Sequence, residues 1–368
     1  MKFLFSTYLF LIVSIAMSQN VTTTFKSGLP TLLEETSGLI YFNGKIITHN
    51  DSGGDPKLYE IDTITGNITR TIEITNAINI DWEDIAQDSN YIYIGDIGNN
   101  NGNRTNLKIY RILKSDYLNN LTVLADTINF SYNDQVNFTS LPNNNNFDCE
   151  AFVIHNDSII LFTKNWVTAT VNAYVLPKTI GSHIAKNVST YNSLGLITGA
   201  DNINNTFYLS GYNNSIIPFI LIVNSNGVNQ DFFGSSIISK HVLNLNSGHQ
   251  VEGICIIDSS KFFVTNEKFV FQSININSNL YRLNISQDPT PVNSIQDENA
   301  IKIYPNPSNN KIFLNKKVEK ITLYNNLGQF VFQKNNTSNI DISNLKKGIY
   351  NLIIQSEKTI EHFQVIKN

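Results

Sequence analysis

The sequence predicts an all-β protein: a β-propeller of five blades, with six left open, followed by a small immunoglobulin-like β-sandwich. Three observations carry this. Short apolar segments recur at a period near 50 residues through the body of the chain, the mark of a repeat architecture. Phe (22) and Tyr (16) far outnumber Trp (2) and Met (2), which suits strands. The last seventy or so residues carry alternating apolar and polar positions between Pro- and Gly-bearing turns.

Five segments share one order, in which an acidic or small polar residue precedes an apolar strand, a polar turn, a second apolar strand, a loop and a third strand. They begin at Ser37-Gly38-Leu39-Ile40, Glu83-Asp84-Ile85-Ala86, Glu150-Ala151-Phe152-Val153, Thr198-Gly199-Ala200-Asp201 and Glu252-Gly253-Ile254-Cys255. Second strands are expected at Lys45–Thr48, Tyr91–Gly95, Ile159–Thr163, Thr206–Ser210 and Lys261–Thr265, each nearly continuous in apolar residues, as for strands covered on both faces. Third strands follow around Leu58–Ile61, Lys108–Arg111, Ala173–Val175, Phe219–Leu221 and Leu280–Leu283. Four-stranded units at this spacing read as propeller blades. The fifth unit ends after its third strand, and Val21–Lys26 has nothing else to pair with, so it is expected to supply the missing outer strand and close the ring. The Asn-rich stretch from Tyr132 to Asn146 lengthens one interval and reads as an extended loop. Cys149 and Cys255 fall on blades that are not neighbours, which favours two buried free thiols over a disulfide.

At the N-terminus, Lys2, the apolar run Phe3–Ala16 and the small-x-small Ala16-Met17-Ser18 have the order of a secretory signal cut before Gln19. The expected organisation is residues 1–18 signal peptide, 19–286 propeller, 287–297 a Pro-bearing linker and 298–368 the sandwich. No segment is long and apolar enough to suggest a transmembrane span. A net charge of -4 and a pI near 5.9 argue against a nucleic-acid partner.

Propeller topology brings the residues before each first strand and after each second strand to one mouth. There stand Asp81-Trp82-Glu83, Asp148-Cys149-Glu150, Gln250-Val251-Glu252 and Glu35-Thr36-Ser37, together with His49-Asn50-Asp51, Asp96, Lys164-Asn165 and Asn266-Glu267. About eight carboxylates therefore converge. They repel one another unless a cation compensates. Ca²⁺ takes six to eight oxygen ligands, and Glu83, Glu150, Glu252, Asp96 and Asn50 are the metal candidates. Zinc lacks clustered Cys and His. The plainer alternative, acidic groups that are solvated or bond strand-end amides, stays open. Should the site hydrolyse a small ester, lactone or phosphoester, His49 and His249 are the catalytic candidates, as bases beside the ion. Otherwise the propeller binds a glycan or protein partner, with a structural cation or none. No nucleophile elbow, phosphate loop or His-Glu-x-x-His is present. Asp51–Pro56 and Asp96–Asn103 lack EF-hand spacing, and Trp82 and Trp166 read as blade packing, with stacking on a sugar ring the alternative.

Two resemblances add to this. Tyr304-Pro305-Asn306-Pro307, Leu327-Gly328-Gln329, Leu345 and Gly348-Ile349-Tyr350, in that order, resemble the type A sorting domain of the type IX secretion system over Glu298–Asn368. The resemblance implies a partner in the type IX machinery, export through the periplasm, and a chain that ends at the outer cell surface or is secreted. Ser37-Gly38-Leu39, Glu252-Gly253-Ile254 and Leu280-Tyr281-Arg282-Leu283 resemble the SdiA-regulated propeller family. More distantly, the Glu before the inner strand is similar to the metal-binding Glu of calcium-dependent lactonase and phosphotriesterase propellers. That likeness implies a Ca²⁺ in the channel and hydrolysis of a lactone or phosphoester.

Overall fold

The computed structural model describes residues 19–271, 274–287, 301–325, 329–356 and 360–368. The expected signal peptide and most of the expected linker lie outside them. The chain divides into two compact units, residues 1–288 and 289–368.

The first unit is a propeller of five four-stranded blades. Their inner strands are Thr36–Phe42, Trp82–Gln87, Cys149–His155, Leu196–Ile203 and Val251–Asp258. Each adjoins the inner strands before and after it, and the fifth adjoins the first, so the ring is closed. Gln19–Gly28 pairs antiparallel with Asn279–Gln287 as the outer strand of the fifth blade, the expected closure. Two edges are covered by parallel pairing the sequence does not announce: Asp126–Tyr132 of the second blade joins Gly181–Tyr191 of the third, and Thr122–Val123 joins Ile68–Ile74 of the first. Such pairing removes unpaired edge groups.

Period-two alternation explains why the second strands are apolar throughout. In Ser158–Thr163, Ile159 and Leu161 pack toward the second blade while Ile160 and Phe162 pack toward the fourth. Each of the five seams holds its own buried apolar cluster, including the closing one of Leu39, Ile46, Tyr59, Phe263 and Leu280. Cys149 and Cys255 are buried, free and in different seams.

Near the axis, two carboxylates, fully buried Asp84 and half-buried Asp201, tie blades together. Asp84 accepts the N–H of its neighbour Ile85 (2.8 Å) and, across the seam, that of Phe152 (2.9 Å). Asp201 repeats this one pair of blades on, accepting from Asn202 (2.8 Å) and Ile256 (2.8 Å). Gly38 makes room for Asp84, since a Cβ there would collide with its Oδ1 and with the Ile85 nitrogen.

In the second unit, Lys311–Asn325 is a long strand whose register shifts between Phe313 and Val318; it pairs with Phe330–Asp341 on one side and Gly348–Gln355 on the other. Ile303–Tyr304 and Ile360–Lys367 complete a sandwich-like fold around Ile312, Ile321, Ile340, Leu352 and Val365. Of the Leu327-Gly328-Gln329 motif, residues 327 and 328 lie outside the described residues. Among the described residues no helix is long and apolar enough to cross a membrane.

Candidate functional site

Every inner strand carries a register shift at the same repeat position. It lies between Thr36 and Leu39, Trp82 and Asp84, Cys149 and Ala151, Ile197 and Gly199, and Val251 and Gly253. A β-bulge leaves an extra residue unpaired and re-aims its side chain. The extra residues are Ser37 with Gly38, Glu83, Glu150, Thr198 and Glu252, so the five bulges set homologous positions around one mouth. Two of them are hydroxyls that tie blade to blade: Ser37 donates to the Glu83 carbonyl and Thr198 to that of Val251. The other three are glutamates.

Glu83, Glu150 and Glu252 line one pit of about 200 Å³ with Asp51, Glu267 and Lys164. All three glutamates and Lys164 are buried. Beside them, carboxylate oxygens of Asp51, Asp81 and Glu83 lie within 4.8 Å of one another, as do those of Glu83, Asp148 and Glu150, and of Glu35, Asp51 and Glu267. Gly98 lets its loop pass over Asp81 and Glu83, because a Cβ there would meet both carboxylates.

Lys164 is the fixed cation of the pit. Its Nζ lies 2.8 Å from Glu150 Oε2 and stacks over the rings of Trp166 (4.6 Å) and Tyr212 (5.7 Å). Burial disfavours its charge, but Glu150 together with Tyr212, Glu252 and Asp148 outweighs this and holds it well above the ordinary lysine value. Asp148 is served as well, accepting the Asn99 N–H (2.6 Å) and the Trp166 indole N–H (2.7 Å). At the corner of Asp51, Asp81 and Glu83, Asp51 accepts the N–H of adjacent Ser52, and no Lys or Arg is bonded to any of the three among the described residues. Burial, then the neighbouring carboxylates, pushes Asp81 up to about 7 and Glu83 well above the usual range. Burial likewise raises Asp51 to about 6, Glu252 to about 7 and Glu267 to about 9.

The remaining expected residues stand elsewhere. Asp96 is buried on Arg104 (2.7 Å), with its other oxygen unpartnered among the described residues, and does not line the pit. Asn50 donates to the Leu32 carbonyl (2.7 Å) and leaves its Oδ1 buried without a partner among the described residues, outside the pit's lining. His49 is fully buried edge-on to Trp82 (5.7 Å), and burial lowers it to about 4. His249 has both ring nitrogens engaged, with the Asn246 carbonyl (2.8 Å) and the Tyr281 hydroxyl (3.0 Å). Neither histidine lines the pit, because a strand-end histidine is turned into a seam by the ring it packs on. Trp82 is likewise core, whereas Trp166 lines the pit. The sequence places Lys164 at the mouth by its position after a second strand, but only the meeting of blades makes it the counter-charge of Glu150.

No curated protein sequence matches the chain. Among solved structures it is similar to the PQQ-bound form of an aldose sugar dehydrogenase from Streptomyces coelicolor, at 9% identity and TM-score 0.46, over 74% of this chain and 100% of that one. It is also similar to the extracellular domain of a B. thetaiotaomicron protein described as a one-component or a hybrid two-component system, at 13% identity and TM-score 0.33. That match covers 91% of this chain and spans 57% of the other. Residues 302–368 match the model of the secretion system C-terminal sorting domain. The chain thus ends in a type IX secretion sorting domain, and its propeller is a cargo sent to the cell surface or released beyond it.

Proposed function

We propose that the propeller is a cation-dependent binding domain, whose mouth holds one Ca²⁺-class ion among Asp51, Asp81 and Glu83 and offers it to a small ligand in the pit. The supporting observation is the contrast between neighbouring trios. Glu150 and Asp148 already have a lysine, an amide and an indole, while Asp51, Asp81 and Glu83 crowd their oxygens within 4.8 Å with no bonded cation. Such a group repels itself unless protonated or neutralised. An all-oxygen donor set without His or Cys suits a hard cation, and the uneven spread of side chains on two blades suits the flexible shell of Ca²⁺ better than the strict octahedron of Mg²⁺. Three carboxylates leave room for water or ligand oxygens.

A second reading, hydrolysis of a small ester, lactone or phosphoester, is favoured by Glu252. It belongs to neither trio nearest Glu83, shares the pit with Lys164, and is raised by burial to about 7, the range of a general base. The ion would polarise the reacting oxygen; Glu252 would take the proton of the attacking water.

Thermal melts of the exported protein in chelator and in added Ca²⁺ test the first reading. A rise in Tm with Ca²⁺ that Glu83→Gln abolishes is expected, and an unchanged Tm in the unaltered chain overturns it. A panel of chromogenic esters, lactones and phosphoesters tests the second. Turnover that survives both Glu83→Gln and Glu252→Gln, or no turnover at all, removes hydrolysis at this site.

A further inference from the structure

We propose that the ligand of this mouth is a neutral, hydroxyl-rich molecule of the saccharide class, extended across two hollows and touching the ion where they meet. This rests on the cation reading above and names what the ion is for.

Beside the pit lies a groove of about 390 Å³, within the range of roughly 300–1,000 Å³ common for small-ligand sites. Asn100 lines both hollows. Asp81 lines the groove, while its partners Asp51 and Glu83 line the pit. The ion corner therefore stands on the partition, and an extended ligand could reach both sides while offering oxygen to the ion.

Charge selects against anions. The three carboxylates around the ion exceed its charge, Glu150 cancels Lys164 in the pit and Asp96 cancels Arg104 in the groove, so no positive charge is left over for an anion. A phosphate, sulfate or carboxylate would enter an unfavourable field. Acyl chains find little to pack on, since Ile80 is the one apolar side chain among the groove residues described.

Hydrogen bonding selects for hydroxyls. The side chains of Ser52, Asn100, Asn101 and Asn103 line the groove and bond no other group of the protein among the described residues. The backbone of residues 100–102, in contrast, is pinned. The Asn100 carbonyl accepts from Asn143 N–H (2.9 Å), that of Asn101 from Leu141 N–H (2.8 Å), and that of Gly102 from the Gln135 amide (2.8 Å). The long insertion at residues 133–147 thus braces the recognition loop. Free amides on a fixed frame present paired donors and acceptors, which match the adjacent hydroxyls of a sugar ring, at low ordering cost. Calcium accepts hydroxyl oxygens in the positions its carboxylates leave open.

The test is a glycan array of neutral, sialylated and sulfated oligosaccharides, probed with the exported protein in Ca²⁺ and in chelator. Neutral oligosaccharides should be retained, with binding weakened about tenfold or more by chelator and equally by the combined Asn100→Ala, Asn101→Ala, Asn103→Ala variant (~1.4 kcal/mol per tenfold). That variant should keep the Ca²⁺-induced rise in Tm, which separates a lost ligand contact from a lost fold or ion. Preference for sulfated or sialylated glycans, or no neutral glycan bound by a protein that Ca²⁺ still stabilises, overturns the ligand class and leaves the ion reading standing. If Ca²⁺ does not stabilise the unaltered protein, both fall together.

Discussion

The propeller buries carboxylates in two places, and they are not equivalent. On the axis, each oxygen of Asp84 and Asp201 accepts a backbone N–H, one from its own strand and one from the next blade. At the mouth, Asp81 and Glu83 accept no side-chain-directed hydrogen bond from the described residues and face other acids instead. Depth alone therefore does not separate the functional acids from the structural ones. The partner does: an acid satisfied by the fold is a staple, and an acid opposed only by acids is, on the proposed reading, where a cation would sit.

The largest expected effect lies on the staple side. Asp84→Ala leaves two buried backbone amides without an acceptor, each costing about 1–3 kcal/mol, so urea unfolding should show a loss of about 4 kcal/mol that Ca²⁺ does not restore. Glu83→Gln should do the opposite in chelator, leaving stability equal or higher because it removes a repelling charge. A Glu83→Gln loss as large as that of Asp84→Ala would erase the distinction.

Lys164→Met sharpens it further. Breaking a buried ion pair typically costs about 3–5 kcal/mol, and that loss is expected in chelator. With Lys164 gone, Glu83, Asp148 and Glu150 lose their one bonded cation, so calorimetry should detect one further equivalent of Ca²⁺ and partial recovery of stability. One equivalent in both forms would mean that Lys164 does not stand in for an ion.

Next comes pH. At the mouth Asp51, Asp81, Glu252 and Glu267 are raised by burial to about 6, 7, 7 and 9, and on the axis Asp201 is raised to about 7. Acids raised in the folded state bind protons more tightly there, so their stabilisation is full below the unfolded values near 4 and is lost as pH rises through 6 to 9. In chelator, unfolding free energy should fall across that window. Saturating Ca²⁺, which binds the deprotonated forms, should flatten or reverse the slope. A chelated protein more stable at pH 9 than at pH 5 contradicts the crowded-acid picture.

The smallest effect belongs to the histidines. His249→Gln should cost about 1 kcal/mol through the lost Tyr281 bond and leave the Ca²⁺ response and any turnover unchanged, as expected of a residue outside the pit. Abolished turnover would return it to the chemistry.

Much of this was legible in the sequence because propellers repeat. Five second strands, the closing N-terminal strand and the recurring Glu83, Glu150 and Glu252 follow from spacing and alternation, and the motifs after Tyr304 mark the sorting domain. What escaped depends on geometry that alternation does not encode. The bulges shift each strand by one residue, so Glu83 faces the mouth while Asp84 faces the axis, a split that strict period-two reading cannot assign. Lys164 lies in a string of polar residues, and only the meeting of separate blades makes it the partner of Glu150. His49 and Asp96 sit at strand ends of the expected kind, yet Trp82 and Arg104 claim them.

The most direct measurement is an anomalous difference map from crystals of the propeller grown in Ca²⁺. The account predicts one peak about 2.3–2.6 Å from carboxylate oxygens of Asp51, Asp81 and Glu83. A map with no peak at that corner, or with its peak beside Glu150 in place of the Lys164 ammonium, would contradict it.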